Sequence, residues 1–223
     1  MTALDRTRPP APAPNPPVAL PEIRRVDVAG TQALTVAFDA VPITRVAIAV
    51  PGAARLREEP ERLGLASLTG AMLREGTGGL DGVALQETLD GMGATLDVEC
   101  SDDELVVHLT ALNRELPRAA QLVRDVLHAP RLADADFARL VRRRLVELES
   151  RADDPARVAQ DAWRAVLYGT DRVEGMPALG TPETVERLTS DDARAFWALA
   201  LAYGAPRLAW VGSVEVAVLA PLS

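Results

Sequence analysis

The sequence predicts an α+β fold: one mainly antiparallel sheet covered by helices. Three observations carry this. Short β-branched, apolar runs bounded by proline and glycine read as strands. Longer stretches with apolar residues at helical spacing start on acidic residues and stop at glycine. Two of the strands, ATLDVEC and ELVVHLTAL, flank the turn-forming SDD, so they read as a hairpin rather than a βαβ unit. With 223 residues, 48% of them hydrophobic, the chain is long enough to bury one core.

The first element is not part of that core. Seven of the 17 prolines fall between Pro9 and Pro21. Such a run favours extended polyproline II, so residues 1–21 read as a Pro-rich flexible leader or linker. A single α+β domain is expected over residues 22–223. Its first strands are 23–28, 34–40 and 43–50, with Pro42 and Pro51-Gly52 as punctuation. A helix carrying Leu63, Leu65, Ala66, Leu68, Met72 and Leu73 should stop at Gly76. Asp81 caps the next, which closes at Gly93. After the hairpin come LPRAAQLVRDVL, ending before Pro130, and the longest helix, from Asp134 to Asp153. Asp154 and Pro155 begin another, PARVAQDAWRAVLY, which Gly169 ends. TPETVERL is a short helix, Asp191 and Asp192 open DDARAFWALALAY, and RLAWVGSV is a closing strand.

Composition narrows the function. A formal charge of -8 argues against nucleic acid or an anionic membrane surface as partner. All 24 basic residues are arginine; the Arg142–Arg144 run points to different faces of its helix and reads as solvated surface. Cys100 stands alone, so neither a disulfide within the chain nor a cysteine metal site is expected. The histidines, His108 and His128, are not one helical turn from each other and read as a strand-surface and a helix-end residue. No run has the length of a membrane span, and the N-terminus lacks a signal-peptide core. The chain as given predicts a cytoplasmic protein, or a periplasmic one if an export segment precedes it.

Most catalytic chemistries find no support. Ser67 lies in no G-x-S-x-G elbow and has no evident histidine partner. GTGGLDG has no Lys-Ser/Thr to make a phosphate loop. The acidic pairs Asp102-Asp103, Asp153-Asp154 and Asp191-Asp192 fall at turns and helix starts, where capping accounts for them. Trp163, Tyr168, Phe196 and Trp197 fall at helical spacings and read as core.

One stretch stands out: GLASLTGAMLREGT, Gly64–Thr77. Together with the element order and the later DDP, YG, LGT and VGSV, it resembles one domain of the insulinase/pitrilysin family over residues 22–215. These are the inverted zincins, which include mitochondrial processing peptidase. Their first core helix carries H-x-x-E-H, two zinc ligands and a general base, and a later helix adds a glutamate ligand. In the register set by Gly64-Leu65-Ala66 and Met72-Leu73, the first His position is Ser67, the Glu is Gly70 and the second His is Ala71. The distal glutamate falls at Glu147. The resemblance therefore implies no catalytic residue, no metal site beyond the residual Glu147, and no cofactor, zinc being expected only in a partner subunit.

In that family, halves made of two such domains close around a peptide, and one half has commonly lost its zinc motif. The resemblance thus implies a non-catalytic subunit or domain that pairs with a zinc-bearing homologue to form a peptide-degrading chamber, with unfolded peptides as further partners. The alternatives are a structural scaffold resembling the zinc-free core proteins of respiratory complexes, and a truncated, non-functional fragment. The second domain of such a half, with its substrate-gripping Arg and Tyr, would begin where the sequence as given ends, so the expectation is a fragment, a truncated reading frame or a naturally single-domain form, with no substrate-gripping residue assigned. The resemblance also implies that Ser67→His, Gly70→Glu and Ala71→His together would restore zinc binding.

Overall fold

A computed structural model describes residues 20–223; the leader expected over 1–21 lies, save for its last two residues, outside them. Six strands form one sheet: β1 (Ile23–Val28), β2 (Thr31–Val36), β3 (Ile43–Val50), β4 (Thr95–Cys100), β5 (Leu105–Leu112) and β6 (Arg207–Val211). Their spatial order is β1-β2-β6-β3-β5-β4. Every pairing is antiparallel except β2 with β6. The chain's last strand thus enters the middle of the sheet, with Leu208 opposite both Ala33 and Ile48.

The second strand starts three residues earlier than expected and ends at Val36. Ala29 and Gly30 have φ of 50° and 90°, a pair of left-handed residues that makes a two-residue hairpin. The turn fixes the register, so Val28 pairs with Thr31. Asp27 accepts the Gly30 N–H at 2.9 Å and holds the turn.

Seven α-helices follow the predicted order: α1 (Leu65–Met72), α2 (Gly82–Met92), α3 (Leu116–His128), α4 (Asp134–Ala152), α5 (Pro155–Tyr168), α6 (Pro182–Arg187) and α7 (Ser190–Tyr203). Asp81 accepts the Ala84 N–H at the start of α2, and Asp154 accepts the Ala156 and Arg157 N–H groups at the start of α5. For α7 the cap is Thr189, in a reciprocal box with Asp192. The expected start at Asp191-Asp192 lies inside the first turn.

Alternation along the strands gives the sheet one buried and one open face. Ile48, Leu105, Leu109 and Leu208 point into the core with Leu68, Met72, Leu85 and Leu89 from α1 and α2. Trp197 of α7 is 3% exposed, and its indole N–H donates to Leu127 O at 2.8 Å. On the other face Ala47, Ala49, His108 and Ala209 line shallow grooves that no helix covers. Among the described residues no helix is long and apolar enough to cross a membrane.

Candidate functional site

The helix bearing Ser67, Gly70 and Ala71 packs on the edge strand β4 and against α4 and α7. Its N-terminus is held from outside the helix. Gly64 turns into α1 with φ 93°, a conformation in which a side chain would also meet Leu179 O. The buried Glu58 carboxylate accepts the Ala66 N–H at 2.6 Å and the Gly64 N–H at 3.2 Å. It does the work of an N-cap from six residues before the N-cap position, Gly64. Burial pushes the Glu58 carboxyl up to about 7, against the pull of those two amides and of Arg55 and Arg144. Nothing in its local pattern marked Glu58 as part of a site.

The centre of the site is Arg144 on α4. Its Nη1 donates to Ser67 Oγ at 2.8 Å and to Leu179 O at 3.3 Å, and its Nε donates to Glu147 Oε2 at 3.1 Å. Ser67 in turn donates to Gly64 O at 3.0 Å. One guanidinium therefore connects Ser67 on α1 with Glu147 one turn further along α4. The reading of Arg142–Arg144 as solvated surface fails at Arg144, which is 9% exposed. The Arg144/Glu147 spacing of three was the available signal, since it favours a pair along a helix face.

Ser67, Gly70 and Ala71 line one cavity of about 440 Å³, closed by Arg143 and Arg144 from α4 and by Cys100 from β4. Its wall at Gly70 is tight: a Cβ there would lie 3.0 Å from Leu105 Cδ1 and 3.3 Å from Val98 Cγ1. Burial pushes the Cys100 thiol up to about 12, and its sulfur lies 3.9 Å from Ala53 O, so it is no thiolate nucleophile.

Zinc does not fit these residues. Ser67 offers a hydroxyl already bonded to a guanidinium, Gly70 and Ala71 offer no donor, and Glu147 pairs with a cation. Neither histidine is near enough to help. His108 faces Glu99 at 3.8 Å on the open side of the sheet, and His128 sits exposed at the end of α3. Among the described residues no group of three His, Cys, Asp or Glu could hold a metal.

A second polar cluster fixes α5. Asp102 pairs with Arg55 at 2.6 Å and with Arg164 of α5 at 2.7 Å. Burial raises the Asp102 carboxyl, but hydrogen bonds from both arginines outweigh it and hold the carboxyl below its usual range. Asp161 of α5 meets Arg151 at 3.4 Å. The helix thus docks through its polar side and turns Val158, Ala159, Ala162, Trp163 and Val166 outward. Trp163 is 59% exposed and Val166 88%. The expectation of a core role for the four aromatics holds at Trp197 and fails at Trp163 and Tyr168. Asp102 also serves these ion pairs rather than a cap.

The element order and the packing of α1 (Leu65–Met72) against α4 are shared features of a known family. The family profile described as Insulinase (Peptidase family M16) matches residues 40–175. The chain belongs to the M16 family. Over 126 residues it is 26% identical to an uncharacterized zinc protease of Streptomyces coelicolor, which covers 56% of this chain and 27% of that one. It is 24% identical over 152 residues to a Helicobacter pylori protein named a non-peptidase homolog, covering 68% of this chain and 35% of the other. A crystal structure of a peptidase M16 inactive domain from Pseudomonas fluorescens superposes with a TM-score of 0.83 at 25% identity, over 91% of this chain and 50% of that chain. This M16 chain thus spans about a third or less of the two sequence relatives' lengths and half of the solved one. Its relatives include proteins named as inactive or non-peptidase members, in keeping with a non-catalytic M16-like chain.

Proposed function

We propose that this M16 domain is a non-catalytic half that pairs with a zinc-bearing homologue, and that the homologue performs the peptide hydrolysis. One observation carries the reading: the Arg144 guanidinium lies between Ser67 and Glu147, two of the three positions where the family register puts metal ligands. A cation held there by hydrogen bonds leaves no donor set for zinc, and without zinc there is neither water activation nor stabilisation of the tetrahedral oxyanion. Likeness to the M16 inactive domain from Pseudomonas fluorescens supports the same reading.

Pairing has its own support. A helix that buries its polar side and exposes Val158, Trp163 and Val166 carries an apolar stripe suited to a protein surface. The test is co-expression with an M16 homologue that retains H-x-x-E-H, followed by sedimentation and a peptide-cleavage assay. A complex with higher kcat/KM than the homologue alone, weakened by Val166→Asp, is the expected result. No complex, or a complex with unchanged cleavage, would remove the peptidase-partner role.

A further inference from the structure

The cavity beside α1 has the wrong charge for a metal and the right charge for an anion. The chain as a whole carries -8, yet Arg74, Arg143 and Arg144 all line this one cavity. The carboxylates nearby are committed elsewhere. Glu75, the acidic residue in the lining, is paired with Arg139, and Glu147 takes the Nε of Arg144. Arg74 reaches Asp97 only at 3.9 Å, with both side chains more than half exposed, so that pair is weak. Arg143 has no carboxylate within 4.0 Å among the described residues.

Arg144 itself supplies a second observation. Its side chain is nine-tenths buried and lines the cavity, with Nε and Nη1 engaged. Its Nη2 has no hydrogen-bond partner among the described residues. Burial and the like charge of Arg143 push the Arg144 guanidinium down, while Glu147 and Glu58 pull it up. An additional negative group between Arg143 and Arg144 would relieve that repulsion and satisfy the free Nη2. Planar guanidinium groups favour carboxylates, which they bind by paired, charge-assisted hydrogen bonds.

The space agrees. Ala71, without a long side chain, leaves a cavity of about 440 Å³, in the range of small-ligand pockets and larger than one ion needs. Gln86 at its wall adds an amide that can meet a peptide group.

We propose that this cavity is a carboxylate-binding site for peptides, in which Arg143 and the Nη2 of Arg144 hold the carboxylate and the space beside Ala71 takes the adjoining residue. The site needs no partner subunit, so it stands apart from the pairing proposed above. The carboxylate has two possible sources in a peptide, the C-terminus and an acidic side chain, and both present the same group.

Three capped tripeptides separate them, titrated calorimetrically into the full chain at low ionic strength: acetyl-Ala-Ala-Ala with a free acid, acetyl-Ala-Ala-Glu amide, and the neutral acetyl-Ala-Ala-Gln amide. At least one of the two acids should bind about tenfold or more tighter than the neutral peptide, and whichever binds names the source. Arg143→Gln, an exposed change that leaves the Arg144 bonds to Ser67 and Glu147 intact, should weaken that binding about tenfold. Ala71→Leu fills the space without altering charge and should abolish it. Equal binding of acid and neutral peptides, no binding of either acid, or affinity unchanged in both variants would overturn the proposal.

Discussion

Arg144 donates to Ser67 Oγ at 2.8 Å across 77 residues of sequence and so ties α4 to the first turn of α1. Removing the guanidinium leaves Ser67 Oγ and Leu179 O without that donor in a largely buried place. Arg144→Met should therefore cost about 1–3 kcal/mol in chemical denaturation. In a double-mutant cycle with Ser67→Ala the two changes should be coupled by about 1 kcal/mol. Strict additivity would mean the contact does not form in solution.

Glu58 predicts a pH dependence. Its folded pKa of about 7 lies above the ordinary 4.5, so the folded state holds the proton more tightly than the unfolded chain does. Stability from this group is then fully present below about pH 4.5 and is lost as the pH rises through about 7. The full swing is on the order of 3 kcal/mol. Urea midpoints measured between pH 5 and 8 should fall with rising pH, and Glu58→Gln should flatten the slope. Asp102 acts in the opposite sense at the acid end. Its lowered pKa gives stability present above the usual carboxylate range and lost as pH falls through the folded value. A wild-type stability that rises steadily from pH 5 to 8 would contradict the placement of Glu58.

The two tryptophans Trp163 and Trp197 should answer oppositely to substitution. Trp197→Phe removes a buried donor to Leu127 O and part of the core, and should cost about 1–3 kcal/mol. Trp163→Ser changes an outward position on α5 and should shift stability by no more than about 0.5 kcal/mol. Thermal unfolding of the two variants side by side checks this. A large loss for Trp163→Ser would mean that the helix is turned the other way.

Much of this fold could be read from the chain because local signals coincide with the final arrangement. Asp81 and Asp154 cap where their positions suggest, and Gly93 and Gly169 end their helices. β2 starts before its apolar run because Ala29-Gly30, with only one glycine to mark it, forms a turn in which both residues take positive φ. Of the candidate site, Ser67, Gly70 and Ala71 were legible as neighbours on one helix, and the fold brings them to one cavity. Their polar surroundings were not. Arg144 and Glu58 act through partners distant in sequence or through backbone amides, and neither relation has a local signature. The orientation of α5 escaped for a similar reason: periodicity shows that Trp163 and Val166 share a face with Ala162, but the partners of Arg164 and Asp161 decide which face turns inward.

Zinc stoichiometry after equilibrium dialysis is the measurement that tests the absence of a metal centre most directly. Ser67→His with Ala71→His places two imidazoles one helical turn apart, with Glu147 as a third ligand. Gly70 is left unchanged, because a side chain there would crowd Leu105 and Val98. With Arg144 in place its guanidinium occupies the space between positions 67 and 147, so the double variant should take up no stoichiometric zinc, like the wild type. Adding Arg144→Ala should allow binding, up to one zinc per chain, and Glu147→Ala should remove it. One zinc per chain in the wild type, or in the double variant with Arg144 retained, would contradict a guanidinium standing where the metal would be.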